Sequence, residues 1–222
     1  SAVVDELPEV VDLVRLGAGS GLNVRLALAA VVRHHDGVLT AAVAFYPCEF
    51  VVERVGGDLV RIENLTTPGA EPHDLELTPR QVALLSTADL VVYQSGFQPA
   101  IDTAIGQASP QRVVDAAEHV TFIPADGDHD GDEHGPNDPH TWLDPGNLAP
   151  VARQVQATLV EARPEPAAEL AANTDALLGD LEALDADFST GLANCTLRTF
   201  ITSHAAFGYL APDDATLVAR LR

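Results

Sequence analysis

The sequence predicts an α/β protein with a parallel sheet and, after it, one long helix. Short apolar segments bounded by glycine or proline alternate with amphipathic segments, and this alternation favours parallel strands joined by crossover helices. The length of 222 residues and a hydrophobic content of 46% suffice for a buried core. We predict strands at residues 39–46, 59–65, 90–93, 120–123 and 199–202.

Two of the predicted helices begin at a recognisable signal. Thr78 is placed to cap a helix in which Pro79 occupies the first turn and Gln81 completes a capping box. Asp144 followed by Pro145 is a second start of the same kind. Both signals predict where a loop gives way to a helix.

The long helix is predicted from apolar spacing. Between Leu170 and Phe188 apolar residues recur every three or four positions, which is the period of one helix face. The pattern predicts a helix of roughly 25 residues, about 40 Å long, that ends near Gly191.

The charge balance excludes several classes of partner. The chain has 12 basic and 33 acidic residues, a formal net charge of −21 at pH 7. Such a surface repels nucleic acid and anionic membranes and attracts cations. No apolar run reaches the roughly 18 residues of a membrane span, so we predict that the chain does not cross a membrane.

One segment is compositionally biased. Residues 126–138 combine aspartate, glutamate and histidine with glycine, and nothing in them is suited to a core. We predict a solvated loop, which either serves as a weak antenna for metal or is only a linker. The two cysteines, Cys48 and Cys195, permit one disulfide without requiring it.

Three histidines are the candidate metal ligands: His73, His140 and His204. Neutral imidazole is the usual nitrogen ligand of zinc, and ligands bind at the carboxyl ends of strands in open α/β sheets. His73 and His204 follow predicted strands, and separations of tens of residues exclude a local zinc finger. The residues alone leave open whether these are ligands or ordinary histidines. Their contexts are Pro-His-Asp-Leu-Glu-Leu-Thr-Pro (72–79), Asp-Pro-His-Thr-Trp-Leu-Asp-Pro (138–145) and Ile-Thr-Ser-His-Ala-Ala-Phe-Gly-Tyr (201–209).

Several further motifs occur in a fixed order with these three. They are Ala-Phe-Tyr-Pro (44–47), Phe50, Gly-Gly-Asp (56–58), Pro-Gly-Ala-Glu-Pro-His-Asp (68–74), Ala-Asp-Leu-Val-Val-Tyr (88–93) and Thr-Ser-His-Ala-Ala-Phe (202–207). With them, residues 40–210 resemble the metal-specific solute-binding proteins of bacterial ABC importers, in the zinc-uptake branch. That branch often carries an acidic, histidine-rich loop before its second histidine, as residues 126–138 do here.

The resemblance implies two α/β lobes with parallel sheets joined by a long helix, the metal lying between the lobes. On this basis residues 1–37 are unassigned, 38–145 form the N-terminal metal-binding lobe, 146–192 the helical connection, and 193–222 the start of a C-terminal lobe that is largely missing. We therefore expect exposed apolar surface on four residues of that start. They are Phe200, Phe207, Tyr209 and Leu210.

The resemblance also implies a function. It implies capture of Zn²⁺ by the three histidines and delivery to an ABC transporter permease, without catalysis. Histidine at the third position favours zinc, with Mn²⁺ the second choice. Such proteins are periplasmic or extracellular, some of them lipid-anchored. Two alternatives stay open: a three-histidine zinc metallohydrolase, with Glu71, Asp74 or Asp138 as base, and a truncated relative without function.

Overall fold

A computed structural model describes residues 37–125, 136–196 and 206–210. Four strands form one sheet in the order β2-β1-β3-β4. They are β1 (Leu39–Val43), β2 (Val60–Asn64), β3 (Leu90–Tyr93) and β4 (Val113–Asp115). Parallel pairing sets Ala42 of β1 opposite Val91 of β3, and Val92 of β3 opposite Val114 of β4. The predicted α/β class with parallel strands is confirmed.

Proline marks the start of every helix in the described part of the chain. The helices are α1 (Tyr46–Gly56), α2 (Pro79–Leu85), α3 (Pro99–Ala108), α4 (Pro145–Ala162) and α5 (Ala167–Leu192). The first four have proline in the first turn, and Pro166 caps α5. Because proline fixes φ near the helical value and lacks an N–H, it suits the position where N–H groups have no helical partner.

Two strand predictions need correction. The predicted strand 39–46 ends at Val43, because Phe45 is already the extended cap of α1 and Pro47 lies in its first turn. No strand forms at 120–123; the sheet edge is taken by β4. Beyond it, the chain near Pro124 forms only an isolated antiparallel bridge to Asn137. The predictions for 59–65 and 90–93 are confirmed to within a residue, and 199–202 lies outside the described residues.

The predicted helix starts are confirmed in detail. The Thr78 hydroxyl accepts from the Gln81 backbone N–H, and the Gln81 side chain accepts from the Thr78 N–H at 2.9 Å. Asp144 accepts from the Gly146 N–H at 2.7 Å. The long helix α5 has 26 residues and ends at Leu192. No helix in the described ranges is both long and apolar enough to cross a membrane.

A three-helix layer covers one part of the core. Helices α1, α4 and α5 pack on one another through buried residues such as Val52, Val155 and Leu177. Arg54 of α1 also pairs with Asp180 of α5 at 2.6 Å. Beyond Leu181, α5 leaves the core, and its apolar stripe continues on exposed residues, which are Leu184, Phe188 and Leu192.

The two cysteines are both free thiols. Cys48 is buried in α1, and this burial raises its pKa to about 12. Cys195 is exposed beyond the end of α5. The disulfide between them that the sequence permits is absent from the structure.

Leu177→Ala should destabilise the fold far more than Leu184→Ala, seven positions later on the same helix. Leu177 is 0% exposed and Leu184 is 45% exposed. Truncation of a buried leucine leaves a cavity and costs about 2–5 kcal/mol, whereas exposed substitutions usually change stability by about 0.5 kcal/mol or less. The free energy of unfolding from urea titrations measures both. Equal losses would contradict the described burial of α5.

Iodoacetamide should alkylate the native protein at Cys195 and spare Cys48. The reactive species is the thiolate, and Cys48 combines burial with a pKa of about 12. Mass spectrometry after short exposure at pH 8 counts the modified thiols, and Cys195→Ser should abolish the rapid modification. Both thiols should react once the chain is unfolded in denaturant. Rapid modification of Cys48 in the native protein would contradict its placement.

Candidate metal centre

The candidate site lies at the carboxyl edge of the parallel sheet. Each strand contributes a ring there from the loop that follows it: Phe45 after β1, His73 after β2, Phe97 after β3 and His140 after β4. His73 lies in a 3₁₀ turn at Pro72–Asp74, and His140 immediately precedes another at Thr141–Leu143. Parallel strands end at the same edge, so residues far apart in sequence meet there.

The structure brings two of the three predicted ligands together. The ring centres of His73 and His140 are 5.6 Å apart, with an interplanar angle of 68°. Two imidazoles that share a tetrahedral zinc ion, with Zn–N bonds of about 2.1 Å, place their ring centres roughly 5 Å apart. The separation of the two ring centres is therefore close to that of two imidazoles on one ion. His204 lies outside the described residues.

A third ligand is not supplied by the described part of the chain. Within residues 37–125, 136–196 and 206–210, no group of three or more His, Cys, Asp or Glu side chains is arranged to hold a metal. The described residues thus bring together two of the three candidate ligands. Both are imidazoles, which suit zinc better than manganese.

Asp138 fixes the orientation of His140. One carboxylate oxygen, Oδ1, lies 2.6 Å from Nδ1 of the ring and also accepts from the His140 backbone N–H at 2.9 Å. A neutral imidazole that donates from Nδ1 carries its lone pair on Nε2, the atom that can bind metal. Sequence reasoning considered Asp138 only as a general base. The signal that could have revealed this role is the carboxylate two positions before the histidine.

Burial of Asp138 corrects the predicted solvated loop. Asp138, the last residue of the predicted segment 126–138, is only 8% exposed. It is buried because its carboxylate and backbone are engaged by neighbouring groups, including a backbone bond from its N–H to Ile123 O at 3.0 Å. Residues 126–135 lie outside the described residues, so the rest of that prediction stays a prediction.

Two buried glutamines hold the backbone just before each histidine. Gln98 Nε2 donates to the carbonyl of Pro72 at 2.8 Å, and Gln94 Nε2 donates to the carbonyl of Pro139 at 2.6 Å. Both glutamines belong to the single loop after β3. One loop thus sets the backbone position of both histidines, and sequence reasoning missed it.

Aromatic rings wall the site. Phe97 is at the centre: its ring lies 4.5 Å from His73, 6.4 Å from His140 and 5.0 Å from Trp142, centre to centre. Trp142 in turn lies 5.3 Å from His140. Phe45 closes the cluster at 4.7 Å from Phe97. Such an apolar shell limits water access and strengthens the electrostatic contacts inside it.

A short downstream segment docks beside Asp138. The Tyr209 hydroxyl donates to the Asp138 carbonyl at 2.8 Å and accepts from the Ile123 N–H at 3.1 Å. Burial raises the pKa of Tyr209, so the hydroxyl stays protonated and can donate at neutral pH. The expectation of an exposed Tyr209 is wrong, since it is 6% exposed. Phe207 and Leu210 are half-buried, and Phe200 lies outside the described residues.

Comparison with known proteins places this chain in a family. Residues 42–215 match the family described as zinc-uptake complex component A, periplasmic. The zinc-binding lipoprotein AdcA of Streptococcus pneumoniae is 30% identical over 188 residues, covering 80% of this chain and 38% of its own length. The zinc-binding protein AdcA of Streptococcus pyogenes serotype M6 is 28% identical over 197 residues, with the same coverage of both.

A solved structure is also similar. The Zn(II)-bound ZnuA-like domain of Streptococcus pneumoniae AdcA matches with a TM-score of 0.69 and 27% identity, covering 79% of this chain and 63% of that domain. The chain thus spans less than two fifths of the AdcA proteins and less than two thirds of this domain. The family match itself extends over most of the chain and includes both described histidines. The chain belongs to the family of periplasmic A components of zinc-uptake complexes.

Proposed function

We propose that this chain captures Zn²⁺ outside the cytoplasmic membrane and delivers it to the permease of an ABC importer. His73 and His140 are two of the proposed ligands, and His204 is the third. The observation that carries the proposal is the convergence of two histidine rings at the carboxyl edge of the sheet, 5.6 Å apart. Zinc is cargo in this proposal, and the chain performs no chemistry on it.

The surroundings of the histidines support a binding site for an ion. Asp138 directs the Nε2 lone pair of His140 away from the carboxylate, and Phe97 packs against both rings. Preset ligands lower the cost of ordering side chains when the ion arrives. The net charge of −21 raises the concentration of cations near the surface without supplying the ligands.

The rival metallohydrolase is less well supported. Of its candidate bases, Asp138 is committed to the Nδ1 side of His140, and Glu71 is exposed. A cavity of about 590 Å³ lies beside Trp142, but neither histidine is among the residues that line it. Family membership also favours transport, because the similar proteins are named for zinc binding.

Delivery to a permease and an extracytoplasmic location rest on the family. The family is described as periplasmic, and one relative is a lipoprotein. We therefore place this chain in the periplasm or outside the cell, with lipid anchoring as one means of retention.

Removal of either described histidine should weaken zinc binding by about 100-fold or more, because each supplies one bond in a small ligand set. The experiment is chelator competition on the metal-stripped chain, for the wild type, His73→Ala, His140→Ala and His204→Ala. His119→Ala is the matched control: a histidine in the described region that does not belong to the site. It should bind zinc like the wild type.

Two results would contradict the proposal. One is zinc binding by His140→Ala with unchanged affinity, which would assign the ion to other groups, such as the acidic segment 126–138. The other is the absence of tight binding by the wild type, which would favour a relative without function. Competition with Mn²⁺ in the same assay should show a preference for zinc.

Asp138→Ala should lower zinc affinity by about 10- to 100-fold, the usual effect of removing the partner of a metal-binding histidine. Asp89→Ala is its matched control. Asp89 also accepts a backbone N–H, from Thr40 at 2.8 Å, but it does so where β1 and β3 begin, at the opposite edge of the sheet. The control should lose some stability and keep its zinc affinity. Equal effects of the two substitutions on affinity would assign Asp138 a purely structural role.

A further inference from the structure

The Tyr209 hydroxyl meets the candidate metal site at Asp138. Its hydroxyl bridges the Asp138 carbonyl and the Ile123 N–H. The Asp138 side chain bonds the His140 ring and backbone. The backbone of Asp138 therefore contacts the downstream segment, and its side chain contacts the proposed ligand His140.

Gly208 brings the same segment even closer. A Cβ added at Gly208 would lie 2.8 Å from Asp138 Oδ2 and 2.9 Å from Ile123 Cδ1, both shorter than real Cβ contacts. Oδ2 belongs to the carboxylate whose other oxygen bonds His140. The absence of a side chain at 208 thus lets the backbone pack directly against the group that orients the ligand.

We propose that Tyr209 is a positioning residue of the zinc site, coupling the docking of residues 206–210 to the orientation of His140. The hydroxyl fixes the backbone of Asp138, Gly208 leaves room for its carboxylate, and the carboxylate fixes the ring. This proposal rests on the proposed zinc-binding function. It adds a positioning residue that acts on the proposed ligand His140 through Asp138. It also states that docking of residues 206–210 and orientation of the His140 ring favour each other.

Coupling between two events is reciprocal. If docking of Tyr209 favours zinc, then zinc must favour docking of Tyr209 by the same factor. The Ile123 N–H donates to the Tyr209 hydroxyl, so its hydrogen exchange reports on docking. Bound zinc also stabilises the whole fold and slows exchange at other amides, so the coupling predicts protection of Ile123 beyond that of amides remote from the site.

The test compares the wild type, Tyr209→Phe and Gly208→Ala by chelator competition and by amide exchange at Ile123 with and without zinc. Loss of the hydroxyl should weaken zinc about three- to tenfold, the value of one hydrogen bond, and abolish the zinc-dependent protection of Ile123. Gly208→Ala keeps the hydroxyl but displaces the carboxylate, so it should also weaken zinc. Tyr93→Phe is the matched control, since that hydroxyl lies beside the Asp115 carboxylate, outside the site.

Wild-type zinc affinity in Tyr209→Phe, with zinc still protecting Ile123, would overturn the inference. Failure of the wild type to bind zinc would instead overturn the proposed function. In that case ¹⁵N spectra of the metal-free proteins still decide the inference. They should show the Nδ1-protonated form of His140 in the wild type and a mixture of tautomers in Tyr209→Phe, and identical spectra would overturn it.

Discussion

The constraint on which the site depends is the parallel pairing of β1, β3 and β4. Because these strands run in one direction, the loops that follow them open at the same edge, and residues separated by tens of positions become neighbours. Phe97 makes this convergence specific. Its ring is 1% exposed and contacts both described histidines as well as Trp142. The sheet brings the loops together, and this ring sets the distance between them.

Different polar contacts position the backbone and the rings of the two candidate ligands. Gln94 and Gln98 fix the backbone that leads into each histidine, from a single loop. Asp138 then fixes the ring of His140. The three side chains are buried, and a buried polar group that loses its hydrogen-bond partner is costly. The result is a pair of candidate ligands whose geometry is set largely by the protein.

Local signals predicted the elements well and their spatial relations less well. The capping box at Thr78 and the apolar period of α5 depend on neighbours along the chain, so both were predictable. The edge strand β4 has only three residues, too few for a recognisable alternation of apolar and polar residues. Residues 120–123 have the apolar composition of a strand but do not form one. The roles of Gln94, Gln98 and Asp138 depend on long-range or buried contacts. Of these roles, only that of Asp138 has a sequence signal, which is its position two residues before His140.

In the proposed function, different groups attract the metal and bind it. The 33 acidic residues create a field that draws any cation to the surface, without distinguishing zinc from calcium or magnesium. Selection requires nitrogen donors, because carboxylates favour the harder ions. At the candidate site the carboxylate of Asp138 faces Nδ1 of His140, on the side of the ring away from Nε2. A carboxylate in this position strengthens the imidazole as a donor, so a strongly anionic protein can present a candidate site whose described candidate ligands are nitrogen donors.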